Sequence, residues 1–225
     1  MGQGAIAGER LVVRDARSVF TAIEHGAWTG ALIAPIVSAP AALLYLARFH
    51  ATEPLPWISL VPQFATFVAL TGASYAALIA GGVALGRRAV ARIALGAIGG
   101  AIGGLAPGAF AAWHFGQMDA PWFGGHAIAI ASALAAIVKG TALVRVVVPE
   151  LSPLRAWLFA LAPLPLFAPA LGLAIALGAR ELDYDALQLL VSDMGVLAAG
   201  ATIGALVGVV LGGWIGTSAA LASRT

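Results

Sequence analysis

Long apolar stretches separated by short polar segments alternate along most of the chain. Six of these stretches are long enough to cross a membrane as helices, since about 20 residues span the hydrocarbon core. They run from Trp28 to Phe49, Trp57 to Leu85, Ile93 to Trp113, Trp122 to Val148, Trp157 to Leu177 and Leu190 to Ala220. The pattern therefore predicts an all-α fold, a polytopic membrane helix bundle of six spans.

The segment before the first apolar stretch has a different pattern. Its apolar residues fall on one helical stripe, made of Ala16, Val19, Phe20 and Ile23. Such a stripe is typical of a helix that lies on a membrane surface, and the alternative is a helix packed on a partner subunit. We predict three parts: a cytoplasmic N-terminal segment with an amphipathic interfacial helix (1–26), a six-span domain (27–220) and a short cytoplasmic tail (221–225).

Arginines near the ends of the predicted spans indicate the orientation. With the N-terminus in the cytoplasm, nine arginines fall on the inner side, against only Arg48 and Arg180 on the outer side. The nine are Arg10, Arg14, Arg17, Arg87, Arg88, Arg92, Arg145, Arg155 and Arg224. Because cytoplasmic loops carry an excess of basic residues, we predict that both ends of the chain lie inside.

Glycine recurs at every fourth position in the third and sixth predicted spans. The two rows are Gly96, Gly100, Gly104 and Gly108, and Gly200, Gly204, Gly208, Gly212 and Gly216. Glycine at this spacing lets a second helix backbone approach closely, so we predict that both rows are helix-packing residues buried against other helices. The first span has a similar row of small residues, namely Gly26, Gly30, Ala34, Ser38 and Ala42.

The two halves of the chain share several features. Trp28 and Trp122 open the first and fourth spans, and the two glycine rows are 104 residues apart. Three spans per half would give the halves opposite orientations, which makes a 3+3 inverted repeat one interpretation. The alternative is coincidence, because tryptophan favours membrane interfaces and this chain is rich in glycine.

The composition supports a membrane location and narrows the chemistry. Hydrophobic residues make up 61% of the chain and charged residues 10%, whereas soluble domains have about 25% charged residues. There is no cysteine for disulfides or thiolate metal sites, and no asparagine for the Asn-Pro-Ala half-helices of aquaporins. We predict a multi-pass integral membrane protein of the bacterial inner membrane type, although an organelle membrane would also accommodate it.

Histidines and one aspartate near the predicted outer face form the first candidate site. His50, His114, His126 and Asp119 would all lie on that side. Imidazole and carboxylate groups on one face could bind copper, zinc or manganese. The alternative, which the sequence favours, is that each histidine sits in the wet interface beside tryptophan. The sequence requires no cofactor.

Uncharged polar residues in the second span form the second candidate site. Gln63, Thr66, Thr71 and Ser74 cover less than half of the helix circumference. Such a cluster could line a path for a small solute, or its members could form hydrogen bonds between helices. The sequence does not decide between the two.

Two ionisable residues lie within predicted spans, Lys139 in the fourth and Asp193 in the sixth. Ionisable residues inside the membrane are functional candidates by default. Each nevertheless lies close enough to a span end to extend to an interface, Lys139 inward and Asp193 outward. That interpretation is the one the sequence favours.

These features lead to three hypotheses of function. The first is a non-catalytic membrane subunit that packs or scaffolds within a larger complex, because several small-residue ridges and almost no soluble mass favour packing. Its partners would be membrane lipids and other membrane subunits or copies of itself, and no nucleic acid. The alternative is a small transporter or channel for a small solute, built on an inverted repeat. The third is a metal-dependent protein that uses the outer histidines, and catalysis is the least favoured.

Overall fold

The computed structural model describes residues 16–49, 54–115, 126–181 and 193–224, which form seven helices. The helices are α1 (Ala16–Phe49), α2 (Pro54–Leu85), α3 (Ala89–Phe115), α4 (His126–Val147), α5 (Pro153–Leu161), α6 (Leu164–Glu181) and α7 (Asp193–Ala222). These four ranges contain no strand. The predicted all-α class is therefore confirmed.

Several of these helices are long and apolar enough to cross a membrane. Among the described residues, α1, α2, α3 and α7 meet that condition, and the bent pair of α5 and α6 would make a fifth span. Helices of this length and apolarity belong to a multi-pass integral membrane protein. The count of six spans and the orientation of the chain stay predictions.

A proline separates α5 from α6. Pro163 lies between the end of α5 at Leu161 and the start of α6 at Leu164, and the two helices are bent by 63°. Proline has no amide N–H, and its ring collides with the preceding helical turn, so it favours such a break. By contrast, Pro35 and Pro40 lie within α1 without ending it.

The described part of the predicted surface helix is the beginning of α1. Residues 16–26 continue in the same helix as the first predicted span. In this part Phe20 is 70% exposed, whereas Ala22 is buried. The domain boundary at residue 26 stays a prediction.

Helices α3 and α7 run antiparallel with their glycine rows in contact, and we call this contact the glycine face. Four pairs of glycines meet there: Gly96 with Gly212, Gly100 with Gly208, Gly104 with Gly204, and Gly108 with Gly200. A Cβ added at Gly96 would lie 2.7 Å from the carbonyl oxygen of Gly212, which is closer than real Cβ atoms approach. Gly216 continues the row against Arg92 and Ile93 of α3.

Helix α2 is packed between α1 and α3 by further glycines. Gly30 of α1 meets the backbone of Gly72, and Gly82 of α2 meets the carbonyl group of Leu95 on α3. Together with the glycine face, these contacts join α1, α2, α3 and α7 at backbone distance. Helix α4 packs against α1, and α5 and α6 pack against α7.

Large side chains fill the space where α2, α4, α5 and α7 meet. Ile79, Val83, Val144 and Ile215 are fully buried there, together with Trp214. Many other large apolar side chains are exposed, for example Phe20, Ile36 and Leu70, as is expected where membrane helices face lipid, because lipid tails are as apolar as these side chains. Ile79, Trp214 and Ile215 of this cluster also border a cavity between α1, α2, α4 and α7.

Candidate functional site

A cavity of about 250 Å³ lies between α1, α2, α4 and α7, and we call it the central cavity. Its lining residues come from the middle of each helix rather than from the ends. Most of its wall is apolar, with Ile33, Val68, Ile79, Leu143, Leu211 and Trp214 among the lining residues. Its polar lining residues are Thr29, Ser38, Thr71, Tyr75 and Lys139.

The lysine of the central cavity bonds to the first helix. The ammonium of Lys139 donates a hydrogen bond to the hydroxyl of Ser38, with 2.8 Å between Nζ and Oγ. Ser38 is only 8% exposed and lies in the second half of α1, away from the end that is predicted to be cytoplasmic. The structure therefore differs from the expectation that Lys139 extends to the inner interface.

The physical reason for this difference is the small-residue row of α1. An alanine and a serine on that row leave space beside α4, so a lysine in the middle of α4 finds a hydroxyl within reach. Charged side chains on membrane helices almost always face the bundle interior and pair with a polar group, and here the hydroxyl of Ser38 is that group. Lys139 and the small-residue row of α1 are both visible in the sequence, but their contact is not.

Trp214 forms a wall of the central cavity and ties three helices together. Its indole N–H donates to the carbonyl oxygen of Ala160 in α5, at 2.7 Å. Its ring lies over Gly140 of α4, where an added Cβ would overlap the ring. The indole therefore satisfies a carbonyl group near the end of α5, next to the break at Pro163.

Tyr75 connects the central cavity with the glycine face. Its ring borders the cavity, and its hydroxyl donates to the carbonyl oxygen of Gly204 on α7, at 2.7 Å. A Cβ at Gly104 would lie 2.7 Å from that hydroxyl. The absence of a side chain at Gly104 therefore lets the phenol of Tyr75 reach past α3.

The predicted solute path along α2 is not one surface. Thr71 lines the central cavity, but Ser74 donates to the carbonyl oxygen of Gly103 on α3, at 2.9 Å. Gln63 and Thr66 are exposed on the outside of the bundle. One of the four residues thus borders the cavity, and a second forms the kind of interhelical hydrogen bond that was the alternative interpretation.

The predicted metal site falls largely outside the described residues. His50 and Asp119 lie outside them, while His114 is in the last turn of α3 and His126 is the first residue of α4. Within the described ranges, no three His, Asp or Glu side chains come together as metal ligands. The metal site stays a prediction.

The charge of the central cavity has one sign. Lys139 is the chain's single lysine, and the described residues of the lining include no aspartate or glutamate. Asp193 starts α7, and the part of that helix that borders the cavity begins 18 residues later, at Leu211. The lining therefore presents one ammonium and several hydroxyls in an otherwise apolar wall.

Comparison with protein-family models, with curated proteins and with solved structures gives no match to this chain.

Proposed function

We propose that the protein is a small transporter or channel, and that its solute occupies the central cavity. The observation that carries this proposal is a cavity in the middle of the bundle with the ammonium of Lys139 in its wall. Small-molecule sites are concave and mostly apolar, with few polar groups that fix the orientation of the ligand. Transporters commonly place such sites near the bilayer midplane.

The position of Lys139 supports the proposal on energetic grounds. A charged side chain within the hydrocarbon region costs at least ~2.5 kcal/mol and is almost always directed to the bundle interior or to a cavity. A lysine that only packed the bundle could be replaced by an apolar residue without that cost. A solute-binding role explains why an ammonium is present at this depth.

The subunit hypothesis loses part of its support. It relied in part on small-residue ridges as packing surfaces, and the ridges of α3 and α7 pack against each other within this chain. The ridge of α1 meets α2 at Gly26 and Gly30. A partner would therefore have to pack elsewhere. A subunit role remains the alternative proposal, and recovery of the chain only together with fixed partners would favour it.

The proposal includes six spans with both ends inside and a 3+3 inverted repeat, in a membrane of the bacterial inner membrane type. The glycine pairs support the repeat. Residues at equivalent positions of the two halves differ by 104 in number. Replacing Gly96 and Gly212 by their equivalents gives Gly200 and Gly108, which is also an observed pair. The same exchange turns the pair of Gly100 and Gly208 into that of Gly204 and Gly104. A two-fold axis between two related halves requires this exchange.

Cysteine labelling tests the proposal directly. The chain has no cysteine, so single cysteines can be added without removing any. We expect Thr71→Cys and Thr29→Cys in the cavity wall to react with a membrane-impermeant thiol reagent in proteoliposomes, because only a hydrated thiol forms the reactive thiolate. The measurement is the fraction of protein modified when the reagent is applied on each side of the membrane.

Two control variants define the limits of this test. Leu70→Cys replaces a side chain that is 67% exposed outside the cavity, and it should stay unreactive in lipid. Arg88→Cys lies in the exposed turn between α2 and α3 and should react. If both cavity cysteines behaved like Leu70→Cys while Arg88→Cys reacted, the cavity would be a dry packing gap and the proposal would be wrong.

A further inference from the structure

Resting on the proposed transport function, we propose that the central cavity binds a small organic anion, a monocarboxylate with an apolar body. Three properties of the cavity lead to this class of solute: the sign of its charge, the apolar character of its wall and its volume. Each property excludes a different group of competing solutes.

The sign of the charge comes from Lys139. Its ammonium has three N–H donors, and the bond to Ser38 uses one of them. A carboxylate oxygen would accept a further, charge-assisted hydrogen bond, which is about twice as strong as a bond between neutral groups. The described lining residues offer no carboxylate to neutralise the ammonium. A cationic solute would therefore be repelled, and a neutral one would leave the charge uncompensated.

The apolar wall indicates what the rest of the solute is like. Ile33, Val68, Leu143, Leu211 and Trp214 line most of the cavity. A fully hydrated inorganic anion such as phosphate would lose its water to these side chains without gaining donors in return. An apolar body on the anion gains from the same contact, because apolar surface leaves water. The wall therefore favours an amphiphilic anion over an inorganic one.

The volume limits the size of the apolar body. An apolar protein cavity of about 150 Å³ is known to take up benzene. The central cavity, at about 250 Å³, has space for one six-membered ring and a carboxylate group. A long-chain fatty acid or a nucleotide would not fit within it. Benzoate matches the charge, the apolar body and the volume together.

Binding of three matched probes to the full-length protein in detergent tests the inference. Benzoate, benzyl alcohol and benzylamine share one ring and differ in charge, and equilibrium dialysis of radiolabelled probe measures each affinity. We expect benzoate to bind most tightly, benzyl alcohol more weakly and benzylamine weakest. This comparison needs no variant, so it remains decisive even if a substitution disturbs folding.

Two variants identify the group that recognises the anion. Lys139→Met keeps most of the side-chain length without the charge, and we expect it to weaken benzoate binding about tenfold or more. Arg145→Met removes a cation from the same helix, but Arg145 is exposed and does not border the cavity. Affinity for benzoate should therefore stay within about twofold of the parent value in Arg145→Met.

Protection of Thr71→Cys separates failure of this inference from failure of the proposed function. Benzoate in the cavity should slow modification of that cysteine, and benzylamine should not. If Thr71→Cys is modified but benzoate neither binds nor protects, the anion class is wrong while a hydrated cavity stands. Equal binding of all three probes, or unchanged benzoate binding in Lys139→Met, also overturns the inference. An unreactive Thr71→Cys contradicts the transport function itself.

Discussion

The glycine face and the central cavity lie side by side in one apolar bundle, yet the first is closed and the second is open. Helix α7 takes part in both, with Gly204 and Gly208 on the glycine face and Leu211 and Trp214 in the cavity wall. On the glycine face, backbone carbonyl groups occupy the space where side chains would stand. Around the cavity, large side chains such as Leu143, Leu211 and Trp214 border the open space, although α1 and α2 still meet at its edge through Gly30 and Gly72. The size of the residues on each face, rather than overall hydrophobicity, decides which contact closes.

This difference matters more in a membrane than in water. Lipid tails are as apolar as the side chains, so helices associate through van der Waals contact and hydrogen bonds rather than through the hydrophobic effect. The glycine face gains such contacts along four glycine pairs. The cavity loses them, since side chains that line a void lack partner atoms on one side. A bundle that retains the void therefore gives up packing energy at the place where we propose that a solute binds.

The largest expected effect comes from placing a large side chain in the glycine face. In Gly208→Leu or Gly204→Leu, the new side chain would occupy the position of the Gly100 or Gly104 backbone. We expect each substitution to destabilise the bundle by about 3 kcal/mol or more, because neither helix backbone can yield without losing the remaining pairs. Thermal unfolding of the purified protein in detergent should show a large fall in melting temperature or no folded protein.

A glycine of α6 provides the matched control. A Cβ at Gly172 would meet nothing within 4 Å, so Gly172→Leu should leave the melting temperature close to that of the parent. Unchanged stability in both Gly204→Leu and Gly208→Leu would show that the glycine face does not hold the bundle together. A loss of stability in Gly172→Leu as large as theirs would show that the effect is not specific to the face.

The glycine rows could be predicted from the sequence because close packing leaves a local signal. Spacing of four places Gly96, Gly100 and Gly104 on one ridge, whatever they contact. The sequence does not identify the partner ridge, since any helix with small residues could fill that role. A second signal in the same helix was missed: Gly99 and Gly103 form a parallel row, and that row faces α2 at Leu78 and Ser74.

The central cavity was harder to predict because its residues come from four helices with no common spacing. Lys139 could be recognised as a candidate because it is an ionisable residue within a predicted span. Its partner, Ser38, could not be recognised, because Ser38 belongs to a row of small residues and such a row also indicates helix packing. The expectation of an interfacial lysine considered α4 alone, and so it did not include the hydroxyl of Ser38 on α1. Contact between α1 and α4 decides the position of the ammonium, and no local pattern encodes that contact.

A smaller effect is expected at Trp214, which lies in the cavity wall and bonds to α5. Trp214→Phe keeps an aromatic ring against Gly140 but removes the indole donor, so the carbonyl group of Ala160 loses its 2.7 Å bond. We expect a loss of about 1 to 3 kcal/mol, the usual result of leaving a buried acceptor unsatisfied. Thermal unfolding in detergent measures it. A melting temperature equal to that of the parent would mean that α5 does not depend on this bond.

The smallest expected effect on stability tests whether the central cavity contains free space. Ala136 lines the central cavity, whereas its neighbour Ala135 is 4% exposed and is not a lining residue. In Ala136→Leu the added carbon atoms can enter the cavity, so the free energy of unfolding should change by less than about 1 kcal/mol and could rise through new contacts. The same substitution at Ala135 must displace packed atoms, which costs about 1 to 3 kcal/mol.

These two adjacent substitutions also separate stability from function. Because Ala136→Leu fills the space that a solute would need, it should abolish modification of Thr71→Cys and binding of benzoate while the protein stays folded. Thermal unfolding and probe binding on the same preparations measure both properties. If Ala136→Leu destabilises the protein as much as Ala135→Leu does, the space beside Lys139 is as tightly packed as the glycine face. The contrast between a closed and an open contact would then fail, and with it the reason for placing a solute there.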